Sequence, residues 1–141
     1  VSAIAYAYYL NQVEGKGHDY FPVINIQRED IALRRDALYL FQLLGISLND
    51  LLFLDDVSFD SLFAQKRLRL ILVDHNVLRP SQEHLSPAIE RVIDHHVDEN
   101  RDYPLLDPKN KHIAITGSAT TLVAEKMLAN QEFKMNPELA A

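Results

Sequence analysis

Short runs of branched and aromatic apolar residues alternate along the chain with longer segments in which apolar residues recur at helical spacing. The runs that predict strands lie at residues 21–26, 50–54, 68–73, 92–93 and 112–115. The segments that predict helices lie at residues 1–12, 31–44, 59–65 and 119–129. Gly45 stands where a helix cap is expected, and Ser86-Pro87 is predicted to open a further helical turn. Polar loops are predicted at residues 27–30, 79–82 and 100–110.

This alternation predicts the fold class. Short strands separated by helices are typical of βαβ units, in which neighbouring strands run parallel. We therefore expect an α/β fold with a mainly parallel β-sheet flanked by helices, in a single domain over residues 1–141.

Polar side chains follow two of the predicted strands directly. One apolar run leads into Asp94, His95 and His96, and another leads into Asp74 and His75. Because parallel strands of an open α/β sheet end at the same edge, where ligands bind, we expect both groups to contribute to one site.

Carboxylates and imidazoles at this edge favour a metal centre. Oxygen and nitrogen ligands without sulfur suit manganese, magnesium, zinc or cobalt, and carboxylates favour the harder cations. A carboxylate can also bridge two metals about 3.5–4 Å apart, as in centres that transfer phosphoryl groups to water. The alternative is that Asp94 caps a turn and the histidines lie in surface loops. One such group alone favours that alternative, whereas two groups on two strand ends favour the metal.

Composition and net charge limit the kinds of partner that the protein is expected to bind. The formal net charge is −6 and the sequence pI is about 5.4, which argues against a broad nucleic-acid-binding surface. The chain has no cysteine, so it has no thiolate metal site, disulfide or cysteine nucleophile. This composition suits an intracellular protein, and we expect a cytoplasmic location. No apolar run reaches the roughly 20 residues that span a bilayer, so no membrane association is expected.

Two further features could bind phosphate groups. Arg28, Arg34 and Arg35 form a basic cluster whose guanidinium groups match phosphate oxygens. Alternatively, Arg34 and Arg35 lie on the solvent face of a helix, paired with neighbouring carboxylates. Ser118 follows a glycine at a predicted helix start, where backbone N–H groups attract anions, but it also suits an ordinary N-cap.

Together these motifs resemble the DHH phosphoesterase superfamily, which includes family II inorganic pyrophosphatases, exopolyphosphatases, prune-type proteins and single-strand exonucleases. The resemblance rests on the Asp-His-His triplet at 94–96 and the Leu-Val-Asp-His-Asn run at 72–76. Residues 26–36, with Arg-Glu-Asp and Leu-Arg-Arg-Asp, are similar to fungal exopolyphosphatases and their prune relatives. Residues 117–123 match the Gly-Ser turn of the same group.

The resemblance implies roles for individual residues. Asp74 matches a carboxylate that bridges two metals, and His95 matches a metal ligand. His96 matches a histidine that lies against the substrate phosphate, and Asp94 matches a partner that orients an imidazole. His75 resembles a residue near the attacking or leaving phosphate. The arginine cluster and Ser118 are then expected to bind substrate.

The activity implied is metal-dependent hydrolysis of a phosphoanhydride at two Mn²⁺ or Mg²⁺ ions. An exopolyphosphatase that releases terminal phosphate from inorganic polyphosphate is expected first. Pyrophosphatase or cyclic-nucleotide phosphodiesterase chemistry within the same superfamily is the alternative, as is a non-catalytic, prune-like interaction module.

Two family motifs have no counterpart in the sequence. The family places a His-x-x-x-Asp-x-Asp run before a helix like the one predicted at 1–12, and a further metal-binding Asp after a helix like the one that Pro137 could open. We therefore expect a domain truncated at both ends, without the family's carboxyl-terminal substrate-binding domain. Alone it is expected to be inactive.

Overall fold

The computed structural model describes residues 1–135, which form two compact units. The helix start predicted at Asn136-Pro137 lies outside the described residues. The first unit comprises Val1, Ala3–Val57 and the chain from Met127, and the second comprises Ser2 and Ser58–Lys126. The helices are α1 (Ser2–Val13), α2 (Arg35–Leu43), α3 (Phe59–Ala64) and α4 (Ala119–Ala129). The strands are β1 (Val23–Ile24), β2 (Leu52–Phe53), β3 (Leu70–Val73), β4 (Ile89–Asp94) and β5 (Lys111–Ile113).

The first unit is built around a short parallel pair. Strand β1 pairs with β2 in parallel, and Phe53 on β2 is fully buried in an apolar cluster with Ile31 and Phe41. Helix α2 ends in the predicted glycine cap: Gly45 has a φ of 66°, and the N–H of Ile46 donates to the carbonyl of Phe41 at 2.8 Å. This is the hydrogen bond of a Schellman motif, in which glycine accepts the left-handed conformation at little cost.

The second unit contains a three-stranded sheet in the order β3-β4-β5, with every pair parallel. The prediction of a mainly parallel α/β fold is thereby confirmed. Val92 and Ile93 on the central strand are almost completely buried, as expected of a branched apolar run covered on both faces. Leu72, Ile89 and Val92 belong to the apolar cluster that anchors the strands.

Several predicted boundaries are wrong. The loop predicted at 27–30 and the first turn of the predicted helix form a 3₁₀ segment, Arg28–Leu33, and α2 begins only at Arg35. Ser86-Pro87 does not open a turn, because a 3₁₀ segment starts at Pro80 and Pro87 lies near its end. Pro80 occupies the first helical position, where a missing N–H costs nothing. Strand β4 begins three residues earlier than predicted, because charged Glu90 and Arg91 within it interrupt the apolar pattern.

Within the described residues 1–135, no helix is long and apolar enough to cross a membrane.

Candidate metal centre

The candidate centre lies at the carboxyl edge of the sheet in the second unit. Asp74 directly follows β3, and Asp94 is the last residue of β4. The two strands pair in parallel up to Val73 and Ile93, and the N–H of Asp74 donates to the carbonyl of Ile93 at 2.9 Å. The prediction that both strand ends lie at one edge is confirmed.

Asp74 has an unusual backbone. Its φ is 70°, in the left-handed region that residues other than glycine rarely adopt. Aspartate tolerates this region better than most residues, but a left-handed residue still costs of order 1 kcal/mol. The conformation places the half-exposed carboxylate near His95, with Oδ1 3.2 Å from Nε2. Such strain is typical of functional sites.

The tautomer of His95 is fixed by its other nitrogen. Nδ1 lies 3.0 Å from the carbonyl oxygen of Thr116, which can only accept, so Nδ1 carries a proton. In the neutral ring the lone pair is then on Nε2 and faces the Asp74 carboxylate. Two lone pairs at this separation repel unless a proton or a cation lies between them. A histidine that donates from one nitrogen to a backbone carbonyl and offers the other is the common arrangement of a metal ligand.

His96 completes the group. Its Nδ1 donates to Oδ1 of Asp94 at 2.8 Å, and this hydrogen bond raises the pKa of the His96 imidazole. Its exposed ring lies 4.2 Å from the ring of His95, centroid to centroid. One potential ligand atom from each of Asp74, His95 and His96 lies within 4.8 Å of the other two. The Asp74 carboxylate and the His95 imidazole fit a divalent cation such as Mn²⁺ or Zn²⁺, and a protonated His96 beside them could donate to an anion.

Asp94 is a fully buried carboxylate with several donors. Oδ1 accepts from the backbone N–H of His95 at 2.8 Å as well as from the His96 ring, and Oδ2 accepts from the Asn76 side chain at 2.6 Å. Burial acts to raise the pKa of Asp94, but hydrogen bonds from His96, Asn76 and the two backbone N–H groups together lower it. Asp94 is therefore an ionised carboxylate that holds the His96 ring and the His95 backbone by hydrogen bonds.

Two residues of the site carry no role in the sequence-based prediction. Asn76 is buried, and its carboxamide donates to Asp94 and also to the carbonyl of Val97 at 3.0 Å. Its Oδ1 accepts from the N–H of Glu99 at 3.0 Å, and its backbone carbonyl accepts from the Tyr103 hydroxyl at 2.8 Å. An asparagine directly after an Asp-His pair at a strand end is a usable sequence signal for Asn76. For Tyr103, in a polar loop, no such signal exists.

His75 lies at the same strand end but outside the three-residue group. Its Nδ1 is 3.0 Å from the carbonyl of Val73, and burial lowers the pKa of its imidazole. A neutral, half-buried imidazole whose Nδ1 serves the backbone can still offer Nε2 to a ligand. Its proposed contact with substrate phosphate stays a prediction.

The arginine cluster lies in the first unit. The Arg28 guanidinium donates to the carbonyls of Leu48 and Leu51, at 2.9 and 3.0 Å, and forms an ion pair with Asp56. It also lies over the ring of Phe53, 4.4 Å from the centroid. These contacts favour a structural role for Arg28. Arg34 and Arg35 are exposed at the start of α2, and their binding of substrate stays a prediction.

Ser118 precedes α4 in the position of an N-cap. Its Oγ accepts from the N–H of Thr120 at 3.2 Å, and its carbonyl accepts from the N–H of Thr121 at 3.1 Å. Capping and phosphate binding are compatible, because the hydroxyl keeps a further acceptor position and the helix end keeps its dipole. Phosphate binding by Ser118 stays a prediction.

The parallel sheet presents Asp74, His95 and His96 at its carboxyl edge as a candidate metal centre, and sequence comparison identifies the family of this α/β domain. The whole chain, residues 1–141, matches the model of the DHH family, N-terminal domain. The chain belongs to the DHH family, as the motifs predicted.

Curated relatives point to one branch of that family. Exopolyphosphatase PRUNE1 of Bos taurus is 35% identical over 141 residues, which is 100% of this chain and 30% of the relative. The putative exopolyphosphatase of Schizosaccharomyces pombe is 37% identical over 126 residues, 86% of this chain and 31% of the relative. Protein prune homolog 2 of Mus musculus is 30% identical over 93 residues, 66% of this chain and 3% of the relative. The chain thus spans about 30% of the first of these relatives.

Proposed function

We propose that the protein containing this chain is a divalent-metal-dependent phosphoanhydride hydrolase that releases terminal phosphate from inorganic polyphosphate. The observation that carries the proposal is the pairing of Asp74 with His95. Nε2 of His95 faces the Asp74 carboxylate at 3.2 Å while Nδ1 is held by Thr116, an arrangement that favours a metal cation or a proton between the two groups. The substrate class is supported by relatives named exopolyphosphatase.

Asp74 and His95 would hold the cation, and Mn²⁺ or Mg²⁺ suits a site that includes a carboxylate. When bound, a divalent cation lowers the pKa of a coordinated water and neutralises charge on the phosphoryl oxygens. Water adds to the terminal phosphorus as its bond to the bridging oxygen breaks. The products are orthophosphate and a polyphosphate shorter by one phosphate.

His96 is placed to stabilise the phosphoryl group. Because Asp94 accepts from its Nδ1 and raises its pKa, the ring gains a proton on Nε2 more readily than an isolated imidazole. A protonated Nε2 would donate to a phosphoryl oxygen on which negative charge develops. Asp94 has no substrate contact in this scheme, and it acts by orienting His96. His75 and Ser118 would bind the other phosphate groups.

The proposal is tested by phosphate release from the intact protein. With Mn²⁺ or Mg²⁺, it should release orthophosphate from long-chain polyphosphate faster than from pyrophosphate or cyclic nucleotides. Faster hydrolysis of pyrophosphate or a cyclic nucleotide would reassign the substrate within the superfamily.

Variants test the site independently of the substrate. Asp74→Asn and His95→Ala should each lower kcat/KM by at least about 100-fold, as expected when a ligand of a catalytic metal is lost. His18→Ala, at an exposed position of the first unit, is the matched control and should retain activity. Unchanged rates for both site variants would refute the metal-dependent mechanism.

A further inference from the structure

A continuous chain of hydrogen bonds leads from a buried tyrosine to the exposed imidazole of the candidate centre. Tyr103 donates its hydroxyl to the backbone carbonyl of Asn76 at 2.8 Å. Asn76 donates its carboxamide to Oδ2 of Asp94 at 2.6 Å, and Oδ1 of Asp94 accepts from Nδ1 of His96 at 2.8 Å. The first three members are buried, and only His96 is exposed.

Asn76 is the centre of this chain, because it connects the end of β3 to the segment that follows the histidines. Its carboxamide donates to Val97 and accepts from Glu99, at 3.0 Å in both cases. Tyr103, a few residues further along the same segment, is bonded to its backbone carbonyl. Asn76 therefore holds this segment at Val97, Glu99 and Tyr103. A shift of Asn76 would also move the amide group that donates to Asp94.

The Tyr103 ring is also fixed from its apolar side. It belongs to the same buried cluster as Leu72, Ile89 and Val92, which lie on β3 and β4. A tyrosine held in this way presents its hydroxyl in one place, and a buried phenol needs a hydrogen-bond partner. The Asn76 carbonyl supplies that partner.

We propose that Tyr103 is a positioning residue for His96, acting through Asn76 and Asp94 without touching substrate. Its effect on catalysis rests on the proposed function, whereas its effect on the His96 hydrogen bond does not. Removing the hydroxyl leaves the Asn76 carbonyl without its donor and loosens the residue that orients Asp94. The imidazole then samples orientations in which Nε2 no longer points to a single place.

The test uses Tyr103→Phe in the intact protein, which keeps the ring in the apolar cluster and removes only the hydroxyl. Isotope-labelled imidazole nitrogens are observed by nuclear magnetic resonance in Mg²⁺ buffer. We expect the Nδ1–H signal of His96 to broaden or move, while that of His95, which is bonded to Thr116, stays in place. Tyr39→Phe, at an exposed position on α2, is the matched control and should leave both signals unchanged.

Kinetics provide a second readout. Tyr103→Phe should lower kcat for polyphosphate about 3- to 10-fold with little change in KM, the size expected for one lost hydrogen bond that acts at a distance. Incorporation of a fluorotyrosine at this position, which keeps the donor, should restore both kcat and the His96 signal. An unchanged His96 signal in Tyr103→Phe would overturn the proposal. If the wild-type protein hydrolyses no phosphoanhydride, the proposed function fails, and the His96 signal still decides the role of Tyr103.

Discussion

Nδ1 of His95, at the end of β4, lies 3.0 Å from the carbonyl oxygen of Thr116, which follows β5. This contact across the carboxyl edge sets which nitrogen of His95 is free. It leaves Nε2 facing the Asp74 carboxylate, and the candidate centre depends on that orientation. The β-strand pairing that brings β4 beside β5 is therefore part of the chemistry of the site.

The left-handed backbone at Asp74 should be visible in the free energy of unfolding. Asp74→Ala should destabilise the protein by about 1 kcal/mol or more, because alanine is strained at a φ of 70°. Asp74→Gly and Asp74→Asn should be tolerated better, since both residues accept this region. Urea unfolding of the three variants measures the order. Equal stability of the alanine and glycine variants would show that the strain is absent.

The contacts of Arg28 predict a loss of stability when it is replaced. Arg28→Ala should lower the free energy of unfolding by about 2 kcal/mol, because two backbone carbonyls and Asp56 lose a charged donor. If Arg28 is structural, the KM for polyphosphate should stay near that of the wild type in the folded fraction. A large rise in KM without destabilisation would support substrate binding by Arg28.

Arg34 and Arg35 should behave differently from Arg28. They are exposed at the start of α2, so Arg34→Ala and Arg35→Ala should change stability by less than about 0.5 kcal/mol. If they bind polyphosphate, each should raise KM, and the effect should weaken at high salt. Steady-state kinetics at two ionic strengths measure this. A KM that neither variant changes would assign both residues to the solvent face alone.

The carboxylate of Asp56 predicts a pH dependence of stability. The N–H of Phe53 and then the Arg28 side chain lower the pKa of Asp56 below its ordinary value of 3.8. A lowered folded-state pKa stabilises the protein above the unfolded value, and this contribution is lost as the pH falls through the folded-state pKa. Asp56→Asn should therefore flatten part of the loss of stability at acid pH. Urea midpoints between about pH 5 and pH 2 test this, with the exposed Asp19→Asn as the control.

The strands that carry the site can be predicted from the sequence, whereas the hydrogen bonds within the site cannot. The apolar runs before Asp74 and Asp94 mark strands, and parallel pairing follows from the alternation with helices, so the common edge can be predicted from pattern alone. The hydrogen bonds of His95 to Thr116 and of Tyr103 to Asn76 join residues 21 and 27 positions apart. No local pattern encodes such pairs, because they depend on how the loops after the strands pack.

Arg28 has contacts that the sequence does not reveal. Three arginines near one another suggest an anion site, since charge is visible in a sequence and its partners are not. In the fold, the Arg28 guanidinium is bonded to carbonyls 20 and 23 positions away and to Asp56. The first residue of the 3₁₀ segment is also bonded to a distant residue, because the N–H of Arg28 donates to Asp55 at 3.0 Å. Long-range pairing overrides the polar-loop pattern there.

The central claim is that Asp74 and His95 hold a divalent cation, and Mn²⁺ bound to the intact protein tests it most directly. Pulsed electron paramagnetic resonance detects the hyperfine coupling between Mn²⁺ and a directly bound imidazole nitrogen. We expect this coupling in the wild type and its loss in His95→Ala. Asp74→Asn should bind Mn²⁺ at least about 10-fold more weakly. Tight Mn²⁺ binding that both substitutions leave unchanged would contradict the central claim.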